Sequence, residues 1–132
     1  MTTTTAMRLA SVVTAINVLV ATGFSVAAII NPQYLVPAAA PTEGPLLLAM
    51  YAAAPRIPLA LWVLGAIYKQ AAPALLILGA LAGAMQLLDA GIGLFAHDLG
   101  KSAGPLFIAV LQFFVVYLLH KSVRITPQTR RG

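Results

Sequence analysis

Four runs of apolar residues, at about 9–30, 45–68, 74–96 and 104–120, leave this chain little choice of architecture. Each falls within the roughly 17–25 residues a helix needs to cross a bilayer. Backbone in hydrocarbon must satisfy its own hydrogen bonds, and a helix does so within one segment. Charge is correspondingly scarce: 8% of the 132 residues, with 61% hydrophobic, against about 25% charged in a soluble domain. The expected fold is all-α, an integral membrane bundle of four transmembrane helices, with residues 1–132 forming a single domain.

Turn chemistry separates the runs. "NPQYLVPAAAPTEGP" (31–45) reads as a proline-rich connection, "KQAAP" (69–73) as a tight one and "HDLGKSAGP" (97–105) as a polar one. Pro45 and Pro105 each follow a glycine and read as first helical residues, where a missing N–H is harmless. "GPLLLAMY" (44–51) and "GPLFIAVL" (104–111) open the second and fourth runs alike, a short match that leaves an internal duplication open.

The formal charge of +5 suggests nucleic acid until the cations are located. Arg8, Lys69, Lys121, Arg124, Arg130 and Arg131 flank the runs on one side, while Glu43, Asp98 and Lys101 lie on the other. Basic residues at such positions set topology and meet anionic lipid, so no nucleic-acid partner is expected. Both termini should be cytoplasmic, in a multi-pass protein of the cytoplasmic (inner) membrane. The first run also begins like a signal peptide, with Arg8 before it. It is long for that purpose and carries Asn17 midway, so it is expected to remain as a span.

With no cysteine, thiolate nucleophiles and cysteine-held metals are excluded. His97 and His120 fall at opposite ends of the predicted spans and cannot share an ion. Neither a metal site nor a cofactor is expected.

Small and polar residues recur at helical spacing on each run: Ala10, Thr14, Asn17, Ala21, Ser25 and Ala28 on the first, and Ala49, Ala52, Ala53, Arg56 and Ala60 on the second. The third carries Gly79, Ala82, Gly83, Gln86, Asp89, Ala90, Gly93 and His97, and the fourth Ala109, Gln112 and Val116. Small residues let membrane helices approach closely. The polar ones need partners. At ~1.5 Å of rise per residue, Arg56, Gln86, Gln112 and Asp89 lie ~16, ~15, ~13 and ~10 Å from the outer ends of their spans, and Asn17 ~20 Å. Arg56 and Asp89 are the sole basic and acidic residues within the runs. An unpaired charge there costs about 2.5–3.5 kcal/mol, so the two are expected to pair. The pair reads either as a structural lock on helix register or as the lining of a ligand pocket. Pro55 and Pro58 should kink the second helix and free the carbonyls of Tyr51 and Ala54 beside Arg56.

A four-helix chain with an arginine in its second helix and "LLDAGIGLFAHD" (87–98) closing its third resembles the DoxX-like group of small membrane proteins. That resemblance implies a four-helix bundle with an outward-facing polar pocket and an accessory role beside a larger oxidoreductase. The leading expectation for function is binding of an amphipathic or lipid-like small molecule, of quinone or isoprenoid type. Arg56 would anchor it, Asp89 would supply the counter-charge, Gln86 and Gln112 would orient it, and Asn17 and Tyr51 would border it. Two alternatives stand beside this. One is an enzyme using Asp89, with or without His97, as acid or base on an apolar substrate. The other is a structural subunit of a homo-oligomer or larger membrane complex.

Overall fold

The computed structural model describes residues 2–31, 33 and 43–125. They form four helices: α1 (Thr3–Ile30), α2 (Glu43–Tyr68), α3 (Ala72–Phe95) and α4 (Leu99–Ile125). All four are long and apolar enough to cross a membrane. The connection over 34–42 and the cations Arg130 and Arg131 lie outside the described residues.

The boundaries at two helix starts differ from expectation, and each has a capping residue behind it. α1 begins at Thr3, where the Thr2 hydroxyl accepts from the backbone N–H of Thr5 at 3.3 Å. α4 begins at Leu99, so the polar stretch 97–105 is mostly helix rather than loop. Asp98 caps it, accepting from the backbone N–H of Lys101 at 3.1 Å. That bond, reinforced by the Lys101 ammonium, holds the Asp98 carboxyl below its ordinary range. Pro105 therefore lies inside α4 rather than at its first position, and Pro45 falls within the first turn of α2. The two Gly-Pro pairs are thus not equivalent in their helices. α2 continues as helix through both Pro55 and Pro58.

The short connections at 69–71 and 96–98 make α2, α3 and α4 successively antiparallel. The Thr3 hydroxyl, donating to the carbonyl of Ser122 at 3.5 Å, brings the start of α1 beside the end of α4. The helices thus form a ring in chain order, with α1 also touching α3 across the middle. Val63, Leu75 and Leu119 are fully buried in an apolar core with Met7, Val18 and Val115. Outward, large apolar side chains such as Trp62, Tyr68 and Phe95 are exposed.

The ring is not packed evenly. α3 and α4 make the closest seam, and α2 and α3 the loosest of the neighbouring pairs. Gly79, Gly83 and Gly93 explain the first. A methyl group on Gly93 would lie 2.7 Å from the backbone nitrogen of Ser102, and one on Gly79 3.0 Å from Gln112 and Val116. The Ser102 hydroxyl ties the same seam by donating to the carbonyl of Ala90 at 2.9 Å. Gly91, on the opposite side of α3, faces open space. Gly93→Ala should therefore destabilise the bundle by about 1–3 kcal/mol through overpacking against backbone that cannot rotate aside. Gly91→Ala should be neutral or gain up to ~1 kcal/mol of helix propensity. Unfolding curves of the two variants in mixed micelles check the contrast, and equal effects would contradict it.

Candidate functional site

The expected charge pair forms, between α2 and α3. Arg56 Nη2 donates to both Asp89 oxygens, at 2.8 and 2.7 Å, and Nη1 donates to the Ser25 hydroxyl of α1 at 2.8 Å. Ser25 in turn donates to the carbonyl of Ala21 at 2.9 Å. The Thr22 hydroxyl donates to the backbone carbonyl of Arg56 at 3.3 Å, fixing the root of the arginine against α1. The spacing of α2 dictates this placement. Ala49, Ala53, Ala60 and Val63 are buried along one face, and Arg56 takes its turn in that series.

The pair is not sealed. The Arg56 side chain is 19% exposed and that of Asp89 29%. A guanidinium carries five N–H donors. Here Nε and the second hydrogen of Nη1 have no partner among the described residues. With Asp89, Arg56 lines a cleft otherwise bounded by Asn17, Ala21 and Thr22 of α1, Leu59 of α2, and Met85 and Gln86 of α3. The cleft is narrow, with room for about a single water.

Behind the cleft the amides make a layer of their own. Gln86 Nε2 donates to Asn17 Oδ1 at 2.7 Å, Asn17 Nδ2 to Gln112 Oε1 at 3.1 Å, and Gln112 Nε2 to the Thr14 hydroxyl at 2.8 Å. Thr14, Asn17, Gln86 and Gln112 are each no more than 5% exposed. The polar residues of one predicted depth therefore divide in two: a closed relay across α3, α1 and α4, and a half-open charged group across α2, α3 and α1. Gln86 and Asn17 belong to both, as relay members and cleft walls. Gln112 is fully buried behind Asn17 and does not line the cleft.

The chain matches no family model, and comparisons with characterised proteins and with solved structures find no match. The site is therefore read from its own geometry.

Three expectations change. Tyr51 is 70% exposed and absent from the cleft wall. Five residues before Arg56, it points roughly 140° away from it around the helix. Ala54, Pro55 and Pro58 are also exposed, so the carbonyls released by the prolines belong to the outer face of α2 and not to the cleft. His97 lies beyond the end of α3, exposed, with a left-handed φ of 54°. It does not continue the helical face that carries Asp89. An acid–base pair needs hydrogen-bond reach, and the Asp89 partner here is Arg56. Among the described residues no group of three or more His, Asp or Glu side chains could hold a metal ion.

Thr14 and Ser25 stood in the small-residue stripe of the first run without an assigned role, and helical spacing was their signal. Thr22 gave none, because its partner is a backbone carbonyl. Ser102 was hidden in a stretch read as loop.

Proposed function

We propose that this is a multi-pass membrane protein that holds the polar head of an amphipathic, lipid-like molecule, of quinone or isoprenoid type, at the Arg56–Asp89 cleft. The observation that carries the reading is a contrast within one structure. The amides behind the cleft are closed to their surroundings and bonded in series, as a purely structural polar layer should be. The ion pair beside them is left open on the loosest seam of the bundle, with two guanidinium N–H groups unengaged among the described residues. Ionisable groups inside a membrane are costly and commonly mark a functional site. Arg56 would donate to the head group, Asp89 would hold the guanidinium in place, and Gln86 and Asn17 would form the back wall. The tail would lie along α2 and α3, whose outer faces are apolar. Such a holder is compatible with the accessory role that the DoxX-like resemblance implies.

Native mass spectrometry of the protein extracted with its own lipids tests the proposal. The wild-type chain should carry a defined small-molecule adduct, and the Arg56→Leu/Asp89→Leu double variant should lack it. An adduct that persists in the double variant, or a wild-type chain with none, would overturn the reading.

The orientation proposed for this molecule puts both termini in the cytoplasm of a bacterial-type cell, within the inner membrane. Arg8, Lys69, Lys121 and Arg124 are exposed at the end of the bundle where α1 starts and α4 finishes, and Asp98 and Lys101 are at the other. Cations concentrate on the cytoplasmic side. A fluorescent protein fused after Gly132 should therefore fluoresce and an alkaline phosphatase fused there should stay inactive; the reverse pattern would invert the topology.

A further inference from the structure

The same cleft carries information about the charge of its occupant, an inference that rests on the binding role proposed above. We infer that Asp89 makes the site selective for an uncharged oxygen acceptor, such as an ester or ketone carbonyl on a lipid-soluble chain, over an anionic head group.

Two observations point the same way. The first is charge. Both carboxylate oxygens of Asp89 sit within 2.8 Å of Arg56 Nη2, so the cation is already matched by one anion. Among the described residues no second cation borders the cleft, whose other walls are uncharged. An incoming anion would meet a locally neutral pair with the carboxylate of Asp89 beside it, and would have to leave its own hydration behind. An uncharged acceptor loses far less hydration and needs only a donor. Arg56 offers two, at Nε and at the second hydrogen of Nη1.

The second observation is size. The space beside the guanidinium fits one water oxygen. A carbonyl oxygen can replace that water atom for atom, with its alkyl substituents directed out along the α2–α3 seam. A phosphate, with its tetrahedron of oxygens, is larger than that space. Charge and volume thus select the same class of head group.

Asp89 is then the specificity-determining residue, acting by cancelling a charge rather than by touching the ligand. Asp89→Asn keeps the shape and one acceptor for Nη2 but leaves the guanidinium uncompensated, which should favour anions.

A matched pair of probes, methyl oleate and oleate, at a pH that keeps the acid ionised, isolates the head-group charge from the tail. Binding is read by native mass spectrometry of the full-length protein in detergent. Wild type should prefer methyl oleate on the order of tenfold or more, and Asp89→Asn should move the preference towards oleate by a similar factor. A wild-type protein that takes oleate as well as methyl oleate would overturn the inference while leaving the binding role intact. So would binding of neither probe by a protein that still carries its co-extracted adduct. Binding of neither, with no adduct, removes both. A folded Asp89→Asn that keeps the wild-type order would also overturn it; where that variant fails to fold, equal binding of the two probes by wild type still does, and Asp89→Glu, which keeps the anion, should retain the wild-type order.

Discussion

Arg56→Leu alone is expected to lower the stability of the bundle by about 3 kcal/mol, and adding Asp89→Leu to restore it or improve on it by about 1 kcal/mol. The first change strands a carboxylate between α2 and α3 with only uncharged neighbours, and the Ser25 hydroxyl loses the guanidinium that donates to it. The second removes the stranded charge and replaces two desolvated ions by apolar bulk. Because the pair is partly exposed, the loss belongs at the lower end of the range for broken buried pairs. Unfolding in mixed micelles of the two single variants and the double variant measures the cycle. A double variant no more stable than Arg56→Leu would mean that the two ions are not energetically coupled, despite their 2.7 Å contact. A double variant more stable than wild type would show that the pair is retained at a cost in stability, as expected of a site kept for binding rather than for folding.

Gln112→Leu carries the second large effect, expected at about 2 kcal/mol. Gln112 is fully buried and bonded on both sides, so leucine leaves Asn17 Nδ2 without an acceptor and Thr14 without its donor. An unsatisfied buried polar group costs about 1–3 kcal/mol. Hydrogen bonds between membrane helices average only ~0.6 kcal/mol, because freed groups find other partners. A measured loss near the smaller figure would show that Asn17 and Thr14 do find them. The co-extracted adduct should survive in Gln112→Leu, since that side chain does not border the cleft.

Much of this was legible in the residues. The run lengths announced four helices, and two lone opposite charges in apolar runs announced their own pairing. Rise per residue brought Gln86 and Gln112 to a common depth, and in the fold both bond Asn17. Depth alone, however, does not say which way a side chain turns around its helix. That is why Tyr51 was grouped with Arg56, and why Gln112 was placed at the cleft rather than behind Asn17. His97 was carried along the face of α3 because nothing in "LFAHDLG" marks Phe95 as the last helical residue. The helix that follows starts at Leu99 because Asp98 caps it, and a lone aspartate before a polar stretch reads equally well as loop. Ser25 and Thr22 bond partners set by packing between helices, which a single chain of letters does not contain.

The relay from Gln86 through Asn17 and Gln112 to Thr14 also has a polarity. Each of the three amides donates in the same sense, ending on a hydroxyl that can donate as well as accept. Turning Asn17 alone would set N–H against N–H on one side and oxygen against oxygen on the other, and turning Gln86 or Gln112 alone would create one such clash. The three can reverse only together, with Thr14 supplying the proton at the far end. The relay is therefore one two-valued element rather than three separate contacts. Because Gln86 and Asn17 also wall the cleft, a reversal of the relay would be felt at the cleft as well as behind it.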